Sequence, residues 1–337
     1  SGILVRLMDD QQTESYGEVA PLPGWHPETL AKAEDQLCGI LPGIIHQDFP
    51  EDIPDSLRKI EALFTDMKIF SSVRWGMETA ILPLILWRKD LHFFHLRAEK
   101  FQNNIDINTL LSTDNQLLVD EATERVSQGF RTLKIKVGRQ PIDAEAELLG
   151  KLSSVLGPEV TLRLDANRAW TLSQALDFSA AISGIPVEYM EEPLVRLDQL
   201  SDFHEKTGLP LALDESLNDK KPGKLQIPEG VKTLIIKPTR MGGILEFLRW
   251  LDFADQHHLD IVISSAFESG LTLAVLAELA AMIPPGTRAM GLHTFHWLAE
   301  GLAIPPIAAV DGKIDVSALM ARPIRVDESK LEMLRRF

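Results

Sequence analysis

Three acidic residues stand near the ends of three consecutive apolar runs, each typical of a buried strand. They are Asp165 in "TLRLDA", Glu191 in "PVEYMEEP" and Asp214 in "LALDES". Because the ends of parallel strands meet at one edge of a sheet, the three carboxylates repel each other unless a positive charge neutralises them. A hard divalent cation with oxygen ligands, most simply Mg²⁺ with Mn²⁺ as an alternative, does this. Each acid alone fits a helix cap equally well, but the three together predict a metal site.

Two lysines share one face of the preceding predicted strand, "TLKIKVG" (132–138). Side chains alternate along a strand, so Lys134 and Lys136 lie about 7 Å apart on the same side. An exposed strand end would need no explanation, whereas on an inward face each ammonium group, together with burial, lowers the pKa of the other. Such a lysine can accept a proton near pH 7. We predict that both face inward and that Lys237, in "TLIIKP", approaches the same point from the opposite side.

The elements that position these residues alternate regularly between short apolar runs and helical segments. The runs lie at 106–111, 132–137, 161–166, 186–193, 211–216, 233–238, 260–266 and 288–292. Eight strands at this spacing, with helices between them, predict an α/β fold, a TIM-type (β/α)7β barrel. A doubly wound open sheet is the alternative, but the first run is not followed by a Gly-rich turn. In a barrel the polar residues at the strand ends gather at one mouth, where catalytic groups lie.

The first hundred residues do not show this regular alternation of strands and helices. "ILVRLMDD" and "ESYGEVAPL" predict a strand pair, and "HPETLAKAEDQLCGIL" and "SVRWGMETAILPLILWRKD" predict helices. We therefore divide the chain into an α+β capping domain (1–103), the barrel (104–292) and a C-terminal segment (293–337) that returns to the capping domain. The apolar helix "GLTLAVLAELAAM" (270–282) is expected in the core or at a subunit interface.

Composition excludes some partners. The chain has 337 residues, a net charge of −15 and a pI near 5.1, which argues against a nucleic-acid groove or an anionic membrane surface. The only cysteine is Cys38, so an intrachain disulfide is excluded and a reducing compartment is expected. The sequence lacks a secretory signal and an apolar run long enough for a membrane helix, and it reads as though it begins inside a strand.

Several motifs together resemble the enolase superfamily, in its muconate-lactonizing branch. That branch carries Lys-x-Lys on the second barrel strand, Asp, Glu and Asp on the next three strands, and Lys on the sixth. Within it, the chain is most similar to the o-succinylbenzoate synthase family of menaquinone and phylloquinone biosynthesis. The motifs that carry the resemblance are "LRLDANRAW" (162–170), "EEP" (191–193), "LDES" (213–216), "IIKPT" (235–239), "ISS" (263–265) and, in the capping domain, "GEVAPLPGW" (17–25).

The resemblance implies a hydro-lyase that dehydrates 2-succinyl-6-hydroxy-2,4-cyclohexadiene-1-carboxylate (SHCHC) to 2-succinylbenzoate. The three acids would hold Mg²⁺ against the substrate carboxylate. Lys136 would remove the proton α to that carboxylate and return it to the departing hydroxyl, with Lys134 tuning its pKa. Lys237 would place a cation on the other face of the ring.

The resemblance also implies supporting residues. Arg163, Ser264 and Ser265 would contact substrate carboxylates, while Glu192 and Glu215 would point away from the metal. Four histidines are expected to have ordinary structural roles, two because they end a predicted helix, where imidazoles are common, and two because the local sequence gives them no acidic partner. These are His257, His258, His293 and His296.

Two other functions remain open at this point. A racemase of N-acylated amino acids or a dipeptide epimerase needs the same metal and two opposed lysines, so these residues do not separate it from a synthase. A non-catalytic barrel is disfavoured because every motif residue is present. In each enzymatic case the partner is a small carboxylate, with neither nucleic acid nor membrane expected. The expected compartment is the cytoplasm, or the plastid in a plant or alga, and the oligomeric state stays open.

Overall fold

The computed structural model describes residues 1–65, 67–97, 100–112, 117–218, 220–284, 286, 288–321 and 324–337. The chain begins with an antiparallel hairpin and three helices, β1 (Ile3–Met8), β2 (Glu14–Val19), α1 (Leu30–Ile44), α2 (Ile53–Thr65) and α3 (Ser71–Trp87). Helix α3 packs directly on β2. A Cβ atom at Gly17 would lie 1.8 Å from the carbonyl oxygen of Gly76, so this approach requires glycine.

Between residues 214 and 230 the described part of the chain has only short 3₁₀ turns where a helix was predicted. Elsewhere the parallel strands and the helices alternate as predicted. They are β3 (Asn104–Asp106), β4 (Thr109–Leu110), α4 (Leu118–Ser127), β5 (Thr132–Lys136), α5 (Ile142–Val155), β6 (Thr161–Asp165), α6 (Leu172–Ala181), β7 (Val187–Glu191), α7 (Leu200–Thr207), β8 (Leu211–Leu213), β9 (Val231–Ile236), α8 (Pro238–Met241), α9 (Ile244–His257), β10 (Asp260–Ile263) and α10 (Gly270–Ala281). Strands β4 to β10 form one parallel sheet in chain order. This confirms the predicted α/β fold with a parallel sheet.

A short segment joins the two edges of this sheet. Met290 forms a parallel bridge with Ile107 next to β4, and Gly291 forms one with Ser264 at the end of β10. The Asn108 amide donates to the carbonyl oxygen of Met290, at 2.8 Å. The sheet thereby closes into a ring, which brings the carboxyl ends of its strands to one mouth.

The two faces of the ring have different contents. Leu133, Leu164 and Met190 point outward and are fully buried in the main apolar core beneath the helices. The interior holds a small separate apolar cluster of Tyr189, Ala212, Ile235 and Val262. The residue two positions further along each strand lies on the same inward face, one layer nearer the mouth. The apolar layer therefore lies directly beneath the inward-facing residues at the mouth.

The C-terminal segment supplies β11 (Ala303–Ile304), β12 (Lys313–Asp315), α11 (Val316–Ala321) and β13 (Arg325–Val326). Strand β12 pairs antiparallel with β3, and Lys313 is opposite Asp106. The prediction of one continuous strand over 106–111 is therefore wrong at its start, because Asp106 belongs to the pair with β12 and the parallel strand begins at Thr109. Near the end of the chain, Glu328 lies 3.9 Å from Arg6 of the hairpin.

Helix α10 corresponds to the predicted apolar helix at 270–282. It packs inside the chain, against β2, β3, α11 and the short helical turn Phe93–Leu96, and most of its residues are buried. Of the two expected roles for α10, the structure therefore supports a core helix, because elements of the same chain cover it. Among the described residues, none of the helices combines the length and apolar character needed to cross a bilayer.

Candidate active site

Three buried carboxylates lie at the mouth of the ring. Asp165 and Glu191 are the last residues of β6 and β7, and Asp214 follows β8. Their exposed fractions are 2%, 0% and 4%, respectively. Burying three acids is costly unless each finds a positive partner, so the surrounding cations define the chemistry of the site.

Lysines reach the acids from two sides of the ring. Nζ of Lys134 donates to both oxygens of Glu191, at 2.7 and 2.8 Å, and lies 2.9 Å from Oδ2 of Asp165. Nζ of Lys136 lies 3.2 Å from the same Oδ2 atom. Lys237 follows β9 and donates to Oδ2 of Asp214. The structure thus brings together the three acids and three lysines that the sequence singled out.

The acids and lysines perturb one another strongly. Burial, reinforced by Asp165 and Asp214, raises the pKa of Glu191 to about 8. At Asp165 burial acts in the same direction, but Lys134 and Lys136 outweigh it and lower the pKa to about 2. For Lys134, burial favours the neutral form, yet Asp165 and Glu191 raise its pKa well above the ordinary value. This corrects the expectation of a lowered pKa there, because the nearest charges to Lys134 are carboxylates.

The donor set suits a magnesium ion. In the described ranges, no group of three or more His, Cys, Asp or Glu side chains is gathered as an ion-binding cluster, since Lys134 and Lys237 take up the carboxylate oxygens. The set nevertheless offers only buried oxygen donors, as Mg²⁺ prefers. Burial and the neighbouring Asp165 and Asp214 raise the pKa of Glu191, so a divalent cation beside it would favour its ionised form. Asp165, Glu191 and Asp214 therefore fit such an ion.

Glu192 holds the loops around Asp214 and Arg168 in place. It is fully buried with φ of 43°, and its Oε1 accepts from the backbone amides of Asp214 and Ser216, at 2.9 and 2.7 Å. Its Oε2 accepts from Oγ of Ser216 at 2.7 Å and from Nε of Arg168 at 3.1 Å. The side chain points away from the acids, as expected, but it fixes the backbone that carries one of them.

Asn167 links Lys136 to a fourth acid. Its Oδ1 accepts from Nζ of Lys136, and its Nδ2 donates to Oε1 of Glu215, at 2.6 Å. Asn167 has φ of 44°, in the left-handed region where asparagine is better tolerated than most residues. The motif "DANRAW" contains this residue, but its role depends on a side chain 48 positions away and is not visible from spacing.

The loop after β10 connects the mouth with the N-terminal hairpin. Ser264 bridges to Gly291, and Oγ of Ser265 lies 2.5 Å from Oγ1 of Thr294. Further along, Ser269 donates its amide and hydroxyl to the carboxylate of Glu18 in β2, at 3.0 and 2.8 Å. Ser264 and Ser265 thus lie at the mouth, in a loop that the hairpin restrains.

A tryptophan from the loop after β2 covers the opposite lysine. The indole of Trp25 lies 4.6 Å from Nζ of Lys237, and the guanidinium carbon of Arg240 lies 5.8 Å from the same ring. His26, the next residue, is buried, and its Nδ1 accepts from the Leu22 amide at 3.0 Å. The motif "GEVAPLPGW" was assigned to the capping domain from the sequence, but neither Trp25 nor Arg240 was predicted to lie at the site.

Arg163 does not reach this mouth. It is fully buried, one layer below Asp165, and its Nη1 donates to the carbonyl oxygen of Ala289 at 2.7 Å. Its Nε pairs with Glu188 at 2.5 Å, and its guanidinium stacks 4.9 Å from the ring of Tyr189. Nε and Nη1 of Arg163 are thus engaged by Glu188 and the Ala289 carbonyl oxygen below the mouth, and a contact with a substrate carboxylate stays a prediction.

The histidine near the last strand lies outside the ring interior. Nδ1 of His293 lies 2.9 Å from Oγ1 of Thr109, and its ring packs against Phe130 and His296. Burial lowers the pKa of His293 to about 4, with smaller effects from His296 and Arg125. The neutral imidazole is accordingly part of the packing around β4.

Comparison with known proteins agrees with this geometry. The family model described as "Enolase C-terminal domain-like" matches residues 117–323. Among solved structures, muconate cycloisomerase from Pseudomonas fluorescens superposes with a TM-score of 0.84 at 20% identity, covering 97% of this chain and 92% of that one. A dipeptide epimerase from Enterococcus faecalis, complexed with Mg and the dipeptide L-Leu-L-Tyr, gives a TM-score of 0.81 at 23% identity, covering 93% and 88%. The chain belongs to the enolase superfamily.

Relatives in sequence narrow the class further. The chain is 29% identical to o-succinylbenzoate synthase of Pasteurella multocida, over 97% of this chain and 91% of that protein. It is 30% identical to the Edwardsiella ictaluri synthase, over 85% and 80%. It is 31% identical to the protein PHYLLO, chloroplastic, of Arabidopsis thaliana over 89% of this chain, but spans only 19% of that longer protein. These similarities mark the chain as an enzyme of the lyase class.

Proposed function

We propose that this protein is an o-succinylbenzoate synthase, which dehydrates SHCHC to 2-succinylbenzoate in menaquinone or phylloquinone biosynthesis. One observation carries the proposal: three buried acids lie between lysines that approach from opposite sides of a parallel β/α ring. Loss of water from SHCHC requires removal of a proton next to a carboxylate, and this arrangement offers bases beside a site for that carboxylate.

Lys136 is the proposed base. Among the described residues, the polar contacts of its Nζ are one oxygen of Asp165 and the side-chain oxygen of Asn167, whereas Lys134 is held by two carboxylates. Lys136 removes the proton α to the ring carboxylate, leaving an enediolate, and returns a proton to the departing hydroxyl. Lys134 keeps its charge and stabilises the negative charge that develops. Ser264 and Ser265 are proposed to contact the substrate from the loop after β10.

Asp165, Glu191 and Asp214 are the proposed ligands of Mg²⁺. When bound there, the ion supplies the positive charge that neutralises the substrate carboxylate. Lys237 adds a fixed cation on the face of the substrate's six-membered ring opposite Lys136. That position suits a cation–π contact with the aromatic product. The hairpin, α1 to α3 and the C-terminal segment are proposed to cap the barrel mouth, as the Trp25–Lys237 contact suggests.

A second candidate is epimerisation of a dipeptide or racemisation of an N-acylated amino acid. Two lysines on opposite sides of the acids are what such a two-base reaction needs, and solved relatives of this fold include a dipeptide epimerase. The sequence relatives named as synthases, at about the same chain coverage and higher identity, favour dehydration. The proposed compartment is the cytoplasm, or the plastid if the source is photosynthetic.

The test follows the absorbance of SHCHC with and without Mg²⁺. We expect turnover that needs the ion and that falls by a factor of about 10³ or more in Lys136→Ala, because the proton-transferring group is lost. Binding of Mg²⁺ to that variant, measured by calorimetry, stays within about threefold, since Lys136 is not a ligand. Exchange of α-hydrogen with solvent deuterium on acylated amino acids, without SHCHC turnover, would select the epimerase instead. An active Lys136→Ala variant would exclude Lys136 as the base.

A further inference from the structure

Arg240 is a cation without an acidic partner at the mouth. It follows Lys237 by three residues, and its amide donates to the Lys237 carbonyl oxygen at 2.9 Å. Among the residues that the structure describes, its guanidinium forms neither an ion pair nor a hydrogen bond. It lies over the indole of Trp25, close enough to the buried His26 to add to the effect of burial in lowering the pKa of that imidazole. The side chain is half-buried, whereas the unpaired lysines and arginines elsewhere in the described chain are mostly exposed.

The other cations around the acids are already committed. Lys134, Lys136 and Lys237 pair with the three acids. Arg163 is buried against Glu188, and the partly exposed Arg168 pairs with Glu192. The chain has 49 acidic and 34 basic residues, yet none of the acids in its described part pairs with Arg240. A half-buried guanidinium held on an aromatic ring is suited to bind a carboxylate that arrives from outside.

The proposed substrate carries two carboxylates. The one on the ring is adjacent to the proton that is removed, so it belongs at the three acids and their ion. The one at the end of the succinyl chain needs a second positive group, at a distance from the first. We infer that Arg240, oriented by the Trp25 indole, binds the succinyl carboxylate and thereby selects substrates with a second, distal acid. This inference rests on the proposed function.

The experiment compares two ligands that differ in that carboxylate alone. 2-Succinylbenzoate has it, and 2-butyrylbenzoate replaces it with a methyl group. In Arg240→Met, calorimetry should show about tenfold weaker binding of 2-succinylbenzoate and a change below about twofold for 2-butyrylbenzoate, because a charge-assisted hydrogen bond is lost with the first ligand only. The KM for SHCHC should rise about tenfold while kcat stays within about threefold.

Two further variants control for charge and folding. Arg139→Met removes the same charge from an exposed arginine just after β5 and should leave both affinities unchanged. Arg240→Lys keeps the charge without the forked donors and should retain part of the preference. Equal weakening of both ligands in Arg240→Met, an unchanged affinity for 2-succinylbenzoate, or the same loss in Arg139→Met would overturn the inference. Calorimetry does not depend on turnover, so it tests the Arg240 inference separately from the proposed function. If the wild type bound 2-succinylbenzoate through Arg240 but did not convert SHCHC, the proposed function would be contradicted and the Arg240 inference would stand.

Discussion

At the scale of single residues, the motifs identify the charged groups of the site but not the neighbouring residues that fix their positions. Asp165, Glu191 and Asp214 are visible because strand ends repeat along the sequence. Glu192 is different: alternation predicts that it points away, and its role depends on hydrogen bonds to amides more than 20 positions further on. Trp25 was missed for the same reason, since its contact with Lys237 joins two distant segments that share no local pattern.

Replacing Glu192 should therefore weaken the proposed Mg²⁺ site through Asp214, because the Glu192 side chain binds the Asp214 backbone amide and not its carboxylate. Glu192→Ala leaves buried donors on Asp214, Ser216 and Arg168 without their acceptor, which costs about 3 kcal/mol of unfolding free energy. It also frees the Asp214 backbone, so Mg²⁺ affinity should fall at least about tenfold. Glu192→Gln retains one acceptor oxygen, so its stability and its Mg²⁺ affinity should lie between those of the wild type and of Glu192→Ala. Urea unfolding and calorimetric Mg²⁺ titration measure both effects; an alanine variant with wild-type Mg²⁺ affinity would contradict the prediction.

At the scale of elements, α3 anchors the start of α9. The Glu78 carboxylate is fully buried in α3, accepts from the Leu245 amide at 3.0 Å and pairs with Nε of Arg74 at 2.7 Å. The first amides of a helix lack intrahelical partners, so this acid caps α9 from another part of the chain. The preceding Gly243 has φ of 94°, and a Cβ there would lie 2.4 Å from the Glu78 carboxylate.

We expect Glu78→Ala to lower the unfolding free energy by about 3 kcal/mol, because it leaves a helix amide and part of the Arg74 guanidinium without a buried acceptor. Glu147→Ala in α5 is the matched control. That glutamate also pairs with a helix neighbour, Lys151, but both side chains are more than 60% exposed, so its loss should change stability by about 0.5 kcal/mol or less. Chemical denaturation of both variants measures the difference. Equal effects would show that the capping contact does not contribute.

The sequence predicts the repeating elements far better than the irregular ones. The parallel strands and most of their helices follow from apolar runs that repeat. β1 and β2 lie within predicted segments, whereas α1 continues three residues beyond its segment and α3 begins one residue before its own. Helix α2 lies in a stretch for which we predicted no helix, although Ile53, Leu57, Ile60 and Phe64 have helical spacing. The strand at 106–111 was predicted too long because its first residues pair with β12, about 200 positions away, and such pairing has no local signal.

At the scale of the whole molecule, two glutamates tie the hairpin, the mouth and α8 together. Glu18 accepts from Ser269, and Glu268 accepts from Oγ1 of Thr239 at 2.5 Å and from the Ala266 amide at 2.7 Å. Burial, with a smaller contribution from Glu18, raises the pKa of Glu268 to about 7 against these hydrogen bonds. The folded protein therefore holds a proton on Glu268 that the unfolded chain loses at lower pH.

This proton makes stability depend on pH. The ordinary glutamate pKa is about 4.3, so between about pH 4.3 and 7 the folded state binds more protons and stability falls as pH rises. The contribution is complete below this window and absent above it, and it amounts to about 4 kcal/mol. Glu268→Gln stays neutral, so it should match the wild type near pH 5 and be more stable near pH 8. Urea unfolding across this range tests it, and parallel curves for the two proteins would contradict the assignment.

The bond between Glu18 and Ser269 also has a consequence during synthesis. The two residues are 251 positions apart, so the hairpin made first finds its partner only after most of the chain has been translated. Until Ser269 has left the ribosome, the Glu18 carboxylate lacks this partner, and the part of β2 that packs against α10 stays uncovered, although α3 can already pack on β2. Nascent chains stalled before this point would expose that surface to chaperones, and those stalled well beyond it would not.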